Sequence, residues 1–198
     1  LSGGSTNTNL VPNANIVFGG SGANRTVTVT PAANQSGTST ITVTVSDGDL
    51  TASTNFVLTV IEQNDRPTIS GIGPQSTNED APTGAIAFTV GDVETLAGNL
   101  SLSSGSSNTN LAPLGNIVFA GGGASRTVTV TPAANQSGTS TITVTVSDGE
   151  LTASTNFVLT VIAVNDAPSL SAFTAQTINE DTPAGAIAFS VADVETAT

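Results

Sequence analysis

Hydrophobic and polar residues alternate along much of this chain with the two-residue period of a strand that is dry on one face and wet on the other. The segment Thr141-Ile142-Thr143-Val144-Thr145-Val146 is the plainest case, an all-aliphatic face backed by an all-threonine one. Residues 85–90 put Ile86, Phe88 and Val90 on one side. Leu100 with Leu102, Ile117 with Phe119, and Val128 with Val130 continue the pattern, and 151–162 closes it with Phe157, Leu159 and Val161 facing inward. With a first strand near 67–72 this predicts about seven strands. No segment has a helical period. Threonine on the wet faces favours extended backbone and keeps the strands soluble. The expected fold class is all-β, an antiparallel sandwich of two sheets.

The pattern then repeats. Residues 24–62 recur as 125–163 with three differences, Asn24/Ser125, Asp49/Glu150 and Glu62/Ala163. The offset of 101 residues also maps Leu1 onto Leu102 and Asp92 onto Asp193. That period is too long for a solenoid unit and suits a whole sandwich domain. Linkers carry an acid-then-proline signature, Asn64-Asp65-Arg66-Pro67 and Asn165-Asp166-Ala167-Pro168; proline fixes an extended lead into the next unit and cannot continue a central strand. Boundaries placed there give the C-terminal part of one repeat at 1–63, a complete repeat at 64–164 and the N-terminal part of the next at 165–198. Two explanations fit this arrangement. The chain is a window from a long array, or its two partial repeats complement each other head to tail between copies.

Composition narrows the chemistry. The net charge is −12, from 15 acids against Arg25, Arg66 and Arg126, without any lysine. Such a balance repels phosphate backbones and anionic membranes and attracts cations. Cysteine, histidine, methionine, tryptophan and tyrosine are absent, which excludes disulfides, thiolate zinc sites and haem ligation. An enzyme needs a proton shuttle or an activated nucleophile. Without His, Cys, Lys or Tyr only paired carboxylates are left, and an enzyme is not expected. A carbohydrate-binding module lacks its usual exposed Trp or Tyr platform. The glycine-rich runs 19–22 and 121–123 join predicted strands and lack the lysine of a phosphate loop. No apolar run approaches membrane-spanning length.

All 15 acids fall in linkers and loops. They occupy the linkers (Glu62, Asp65, Asp166), the first turns (Glu79, Asp80, Glu180, Asp181), the loops after the second strand (Asp92, Glu94, Asp193, Glu195) and the last hairpin turns (Asp47, Asp49, Asp148, Glu150). Following the chain up and down the complete repeat puts Asp92, Glu94 and Asp148 at its leading pole. Glu79 falls at the trailing pole, beside Asn165 and Asp166. Asp193 and Glu195 of the next repeat then meet that trailing pole. Carboxylates so gathered repel, about 4 kcal/mol for a pair at 4 Å and an effective dielectric of 20. Arg66 is the one base at a linker. Calcium, which takes 6–8 oxygens in loose geometry, is the expected neutralising partner. Plainer readings stand beside this one. Asp148-Gly149 is a hairpin turn former by itself, Asn78-Glu79-Asp80 suits an Asx turn before Pro82, and Asn165-Asp166 suits a linker.

The combination of Asn78-Glu79-Asp80-x-Pro82, Asp92-x-Glu94, Ser147-Asp148-Gly149 and Val164-Asn165-Asp166-Ala167-Pro168 resembles cadherin repeats. It is most similar to the bacterial cadherin-like, immunoglobulin-like tandem repeats of giant surface adhesins. The resemblance implies calcium between successive domains. At one junction the ligands would be Asn64, Asp65, Asp92, Glu94 and Asp148; at the other, Glu79, Asn165, Asp166, Asp193 and Glu195. Two departures imply fewer or weaker ions, one per junction: the loop 132–138 carries no acid, and the motif after the second strand ends in Glu. The expected role is an extracellular, bacterial cell-surface stalk or adhesive module stiffened by calcium. The alternative is the subunit of an extracellular filament. Expected partners are neighbouring repeats, other copies of the chain and a cell-surface ligand; nucleic acid and membrane insertion are not expected.

Overall fold

The structure, a computed structural model, describes residues 1–194. The chain divides into two units, Leu1–Asp65 and Arg66–Thr198. The first contains β1 (Ser2–Ser5), β2 (Ile16–Ser21), β3 (Asn24–Val29), β4 (Gly37–Ser46) and β5 (Thr51–Val60). Their Thr/Val alternation gives each strand one face to bury. β4 and β5 form a long antiparallel hairpin from Gly37 opposite Val60 to Ser46 opposite Thr51, with β1 along the other side of β4. β2 and β3 form a separate hairpin. Its turn requires glycine at Gly20, where φ is +80° and an added Cβ would lie 2.4 Å from Asn24 O. The core of this unit is small: Leu10, Val11, Ile16 and Ile41.

The second unit contains β6 (Thr68–Ile69), β7 (Gln75–Asn78), β8 (Ile86–Gly91), β9 (Ser101–Ser106), β10 (Ile117–Ala120), β11 (Ser125–Val130), β12 (Gly138–Ser147) and β13 (Thr152–Ile162), followed by β14 (Ser169–Leu170) and β15 (Val191–Ala192). One sheet runs β10-β11-β8-β6 and the other β7-β13-β12-β9. Between them lie Phe88, Val90, Leu100, Ile117, Val128, Val130, Ile142, Val144, Val146, Phe157, Leu159 and Val161, all buried. These are the inward positions that the alternation marks. Phe88 and Phe119 meet edge to face, centroids 6.3 Å apart.

One element departs from the wholly antiparallel expectation. The first strand is in two pieces. β6 pairs antiparallel with β8 in one sheet, whereas β7 pairs parallel with β13 in the other, Leu159 opposite Gln75 to Ile162 opposite Asn78. The crossing segment Gly71-Ile72-Gly73-Pro74 breaks the ladder at its glycines and proline. It still drops Ile72 into the core.

The register fixes the two poles of this sandwich. Thr68 lies opposite Gly91 and Ser101 opposite Ser147. The leading linker, the loop after β8 and the β12–β13 turn therefore share one end. Asn78 lies opposite Ile162, so the β7–β8 turn and the trailing linker share the other.

Candidate functional site at the acidic poles

At the leading pole Asp92 starts a turn. It is an Asx turn, in which Asp92 Oδ1 accepts from Glu94 N at 3.1 Å and Thr95 N at 2.7 Å. The other oxygen, Oδ2, is buried and has no hydrogen-bond partner. A carboxylate oxygen in that state is costly unless something neutralises it. Glu94 and Asp148 are half-buried. Asp148 Oδ1 accepts from Glu150 N and Leu151 N, both at 2.7 Å, and so shapes the hairpin turn. Asp47 repeats this in the first unit, accepting from Asp49 N at 3.0 Å and Leu50 N at 2.8 Å. The Leu50 and Asp49 amides hold its carboxyl below the usual carboxylate range.

Two arginines bind the same end of the sandwich. Arg66 donates from Nη1 to Thr152 O. Arg126 donates from Nη1 to Gly121 O at 2.8 Å and from Nη2 to Ala97 O at 2.9 Å. The Arg126 guanidinium thus sits against the loop that carries Asp92 and Glu94. Sequence reasoning singled out Arg66 as the base near the acids and passed over Arg126. Its inward-facing neighbour Val128 and its place at the start of β11, beside β8, were the available signal.

At the trailing pole the β7–β8 turn is tied to the outgoing linker. Glu79 is 7% exposed. Its Oε1 accepts from Val164 N at 2.6 Å and its own N donates to Ile162 O at 2.9 Å. Asp80, at φ +59°, accepts from Asn135 N at 3.0 Å. Asn165 donates from Nδ2 to Asp166 O at 3.0 Å. Asp166 is half-buried with Oδ2 enclosed, and Asp193 is half-buried after β15. Glu195 lies outside the described residues. Asn64 and Asp65 end the first unit, Asn64 half-buried and Asp65 exposed. Among the described residues no three Asp or Glu side chains converge closely enough to hold a metal ion.

In the second unit two buried polar side chains escaped the sequence pattern. Ser140 Oγ, inside β12, lies 3.0 Å from Ser106 Oγ and accepts from Asn108 N at 3.1 Å. Thr83 Oγ1 accepts from Val130 N at 2.9 Å. Both latch loops to the sheet and are structural.

Residues 64–160 match the family described as Bacterial Ig domain. That stretch of the chain is similar to bacterial Ig domains. Among solved structures, the chain is similar to the protocadherin gammaB7 EC3-6 cis-dimer structure at 21% identity and a TM-score of 0.48, covering 86% of this chain and 43% of that one. The surface layer protein SbsC, domains 1-6, gives 16% identity and a TM-score of 0.40, covering 97% and 28%. An endo-fucoidan hydrolase from glycoside hydrolase family 107 gives 17% and 0.39, covering 87% and 24%. The chain therefore spans less than half the length of each of these three. Similarity at this level transfers no ligand, partner or activity to this chain. No curated protein sequence matches the chain.

Proposed function

We propose that this chain is a non-enzymatic structural module of a bacterial surface or extracellular protein, used as a repeated, adhesive stalk unit and stiffened by calcium at its acidic poles. The support for a repeated unit is the recurrence of one hairpin in one register. Gly37 opposite Val60 and Ser46 opposite Thr51 return as Gly138 opposite Val161 and Ser147 opposite Thr152. A chain that reuses one sandwich 101 residues later gains length and not new chemistry. The bacterial Ig match over 64–160 fits the same reading.

The observation that carries the calcium reading is the buried, unpartnered Oδ2 of Asp92. Asp92 would supply that oxygen, with Glu94 and Asp148 at the same pole and Asn64 and Asp65 from the linker. Glu79, Asn165, Asp166, Asp193 and Glu195 would serve the trailing pole. Calcium would supply positive charge and a tie between segments. Thermal melting with calcium and with chelator tests this; an unchanged melting temperature together with an unchanged hydrodynamic radius would sink it.

A further inference from the structure

We propose that the Asp148-Gly149 link and its repeat Asp47-Gly48 are modification sites, where the chain isomerises spontaneously to isoaspartate, and that Ser147 and Ser46 hold this reaction in check. Calcium plays no part in it. These are the two Asp-Gly pairs of the sequence, and the hairpin turn requires both members of each. Gly149 has φ +109° and Gly48 φ +112°, a conformation that residues with side chains rarely adopt. Asp148 Oδ1 accepts from the Glu150 and Leu151 amides, and Asp47 Oδ1 from those of Asp49 and Leu50. Replacing either residue would undo the turn. The fold therefore carries a reactive pair by construction.

Such a pair reacts because its own atoms close a small ring. The Gly149 nitrogen attacks Cγ of Asp148; an N–C bond forms, a C–O bond breaks, and the departing oxygen leaves as hydroxide with the amide proton. Hydroxide then adds back to the cyclic imide. Opening at the main-chain carbonyl leaves the peptide running through Cβ and Cγ, with the carboxylate now on Cα. No oxidant or further reactant is needed. Glycine has no side chain to shield its nitrogen, whereas every other aspartate here precedes a residue that has one. Gly149 and Gly48 are exposed, so burial does not keep water away.

The preceding serine engages the attacking group. Ser147 Oγ accepts from Gly149 N at 3.0 Å, and Ser46 Oγ accepts from Gly48 N at 3.1 Å. An amide that donates in this way keeps its proton and holds its peptide plane, and ring closure requires both to give way. The electrophile is fixed as well, because two amides orient the carboxyl. The two turns keep this arrangement although they differ at the next position, Asp49 in one and Glu150 in the other. Failure of the lock would damage the hairpin. Isomerisation adds a main-chain atom between Ser147 and Thr152, which face each other in the ladder, and draws the carboxylate away from the Glu150 and Leu151 amides. Ser147 is thus a positioning residue for its own turn.

The test ages the full chain in chelator at neutral pH, warm but below its melting temperature. Peptide mass spectrometry with electron-transfer fragmentation reads isoaspartate at 47 and 148 separately. Ser147→Ala should raise isoaspartate at 148 several-fold and leave 47 at the native level. Ser46→Ala should do the converse, so the outcome does not hang on one variant folding. Ser147→Thr, which keeps a hydroxyl, should stay near the native rate. Ser101→Ala removes a hydrogen bond to the Ser147 carbonyl and should also stay near it, since it loosens residue 147 without freeing the glycine amide. In denaturant the native and Ser147→Ala chains should isomerise alike. Serine-to-alanine variants that age no faster than the native chain overturn the lock. So does acceleration that persists in denaturant, that Ser101→Ala matches, or that Ser147→Thr fails to reverse. A native chain that forms no isoaspartate at 47 or 148 even in denaturant overturns the modification site itself.

Discussion

Glu79 reaches across the trailing pole of the second unit's sandwich and accepts a 2.6 Å hydrogen bond from the Val164 amide. The pair joins the turn after β7 to the first linker residues after β13, 85 positions later. A buried carboxylate bonded to a backbone amide is a strong link, and removing it leaves that amide unsatisfied. Glu79→Ala should destabilise the domain by about 1–3 kcal/mol in denaturant titration. Glu79→Gln keeps an acceptor and should cost less. Equal losses for the two variants would mean that the hydrogen bond is not what matters there.

Asp92 divides its two oxygens between turn and burial, so charge and shape can be separated. Asp92→Asn keeps an oxygen for the Glu94 and Thr95 amides and removes the charge from the buried second oxygen, which has no hydrogen-bond partner. In chelator the variant should be as stable as the native chain or more so, by about 1 kcal/mol. In calcium it should lose the metal-dependent rise in melting temperature. Melts of both chains under both conditions check the two signs. A native chain that already shows no rise would remove the metal from Asp92.

Asp47 gives a pH prediction. Its carboxyl is held below the usual range by the amides of Leu50 and Asp49. A lowered folded-state pKa means that the unfolded chain binds the proton more readily. The contribution is therefore fully present above the unfolded carboxylate range, near 3.9, and is lost as pH falls through the lower folded value. Asp47→Asn should flatten that part of the acid limb of the stability curve, leaving the variant less stable than the native chain at neutral pH and equal to it at low pH. Carbon-detected NMR titration of the Asp47 carboxyl would show its midpoint directly.

Much of the fold is legible because a strand has a fixed period. Ile142, Val144 and Val146 alternate with threonine and all are fully buried; nothing but the two-residue repeat is needed to pick them. β7 was not legible for the opposite reason. Gln75-Ser76-Thr77-Asn78 has no apolar alternation, and its place is set by an edge of β13 that is distant in sequence. The acids show the same division. Their gathering in loops can be read from the sequence, since charge is excluded from strand interiors. That Asp92 and Asp148 each give one oxygen to two backbone amides depends on local turn geometry, which the spacing Asp92-x-Glu94 does not encode.

Phe56 and Phe157 are the same residue in the same hairpin, opposite Ile41 and Ile142, and differ in what covers them. Phe157 is 3% exposed within a two-sheet core, and Phe157→Ala should cost about 3–5 kcal/mol. Phe56, at 40% exposure, buries less area and leaves a shallower cavity, so Phe56→Ala in isolated chains should cost roughly 1–2 kcal/mol. Denaturant titration of the two variants checks the difference; equal losses would mean that the second sheet over Phe157 adds nothing to its cost.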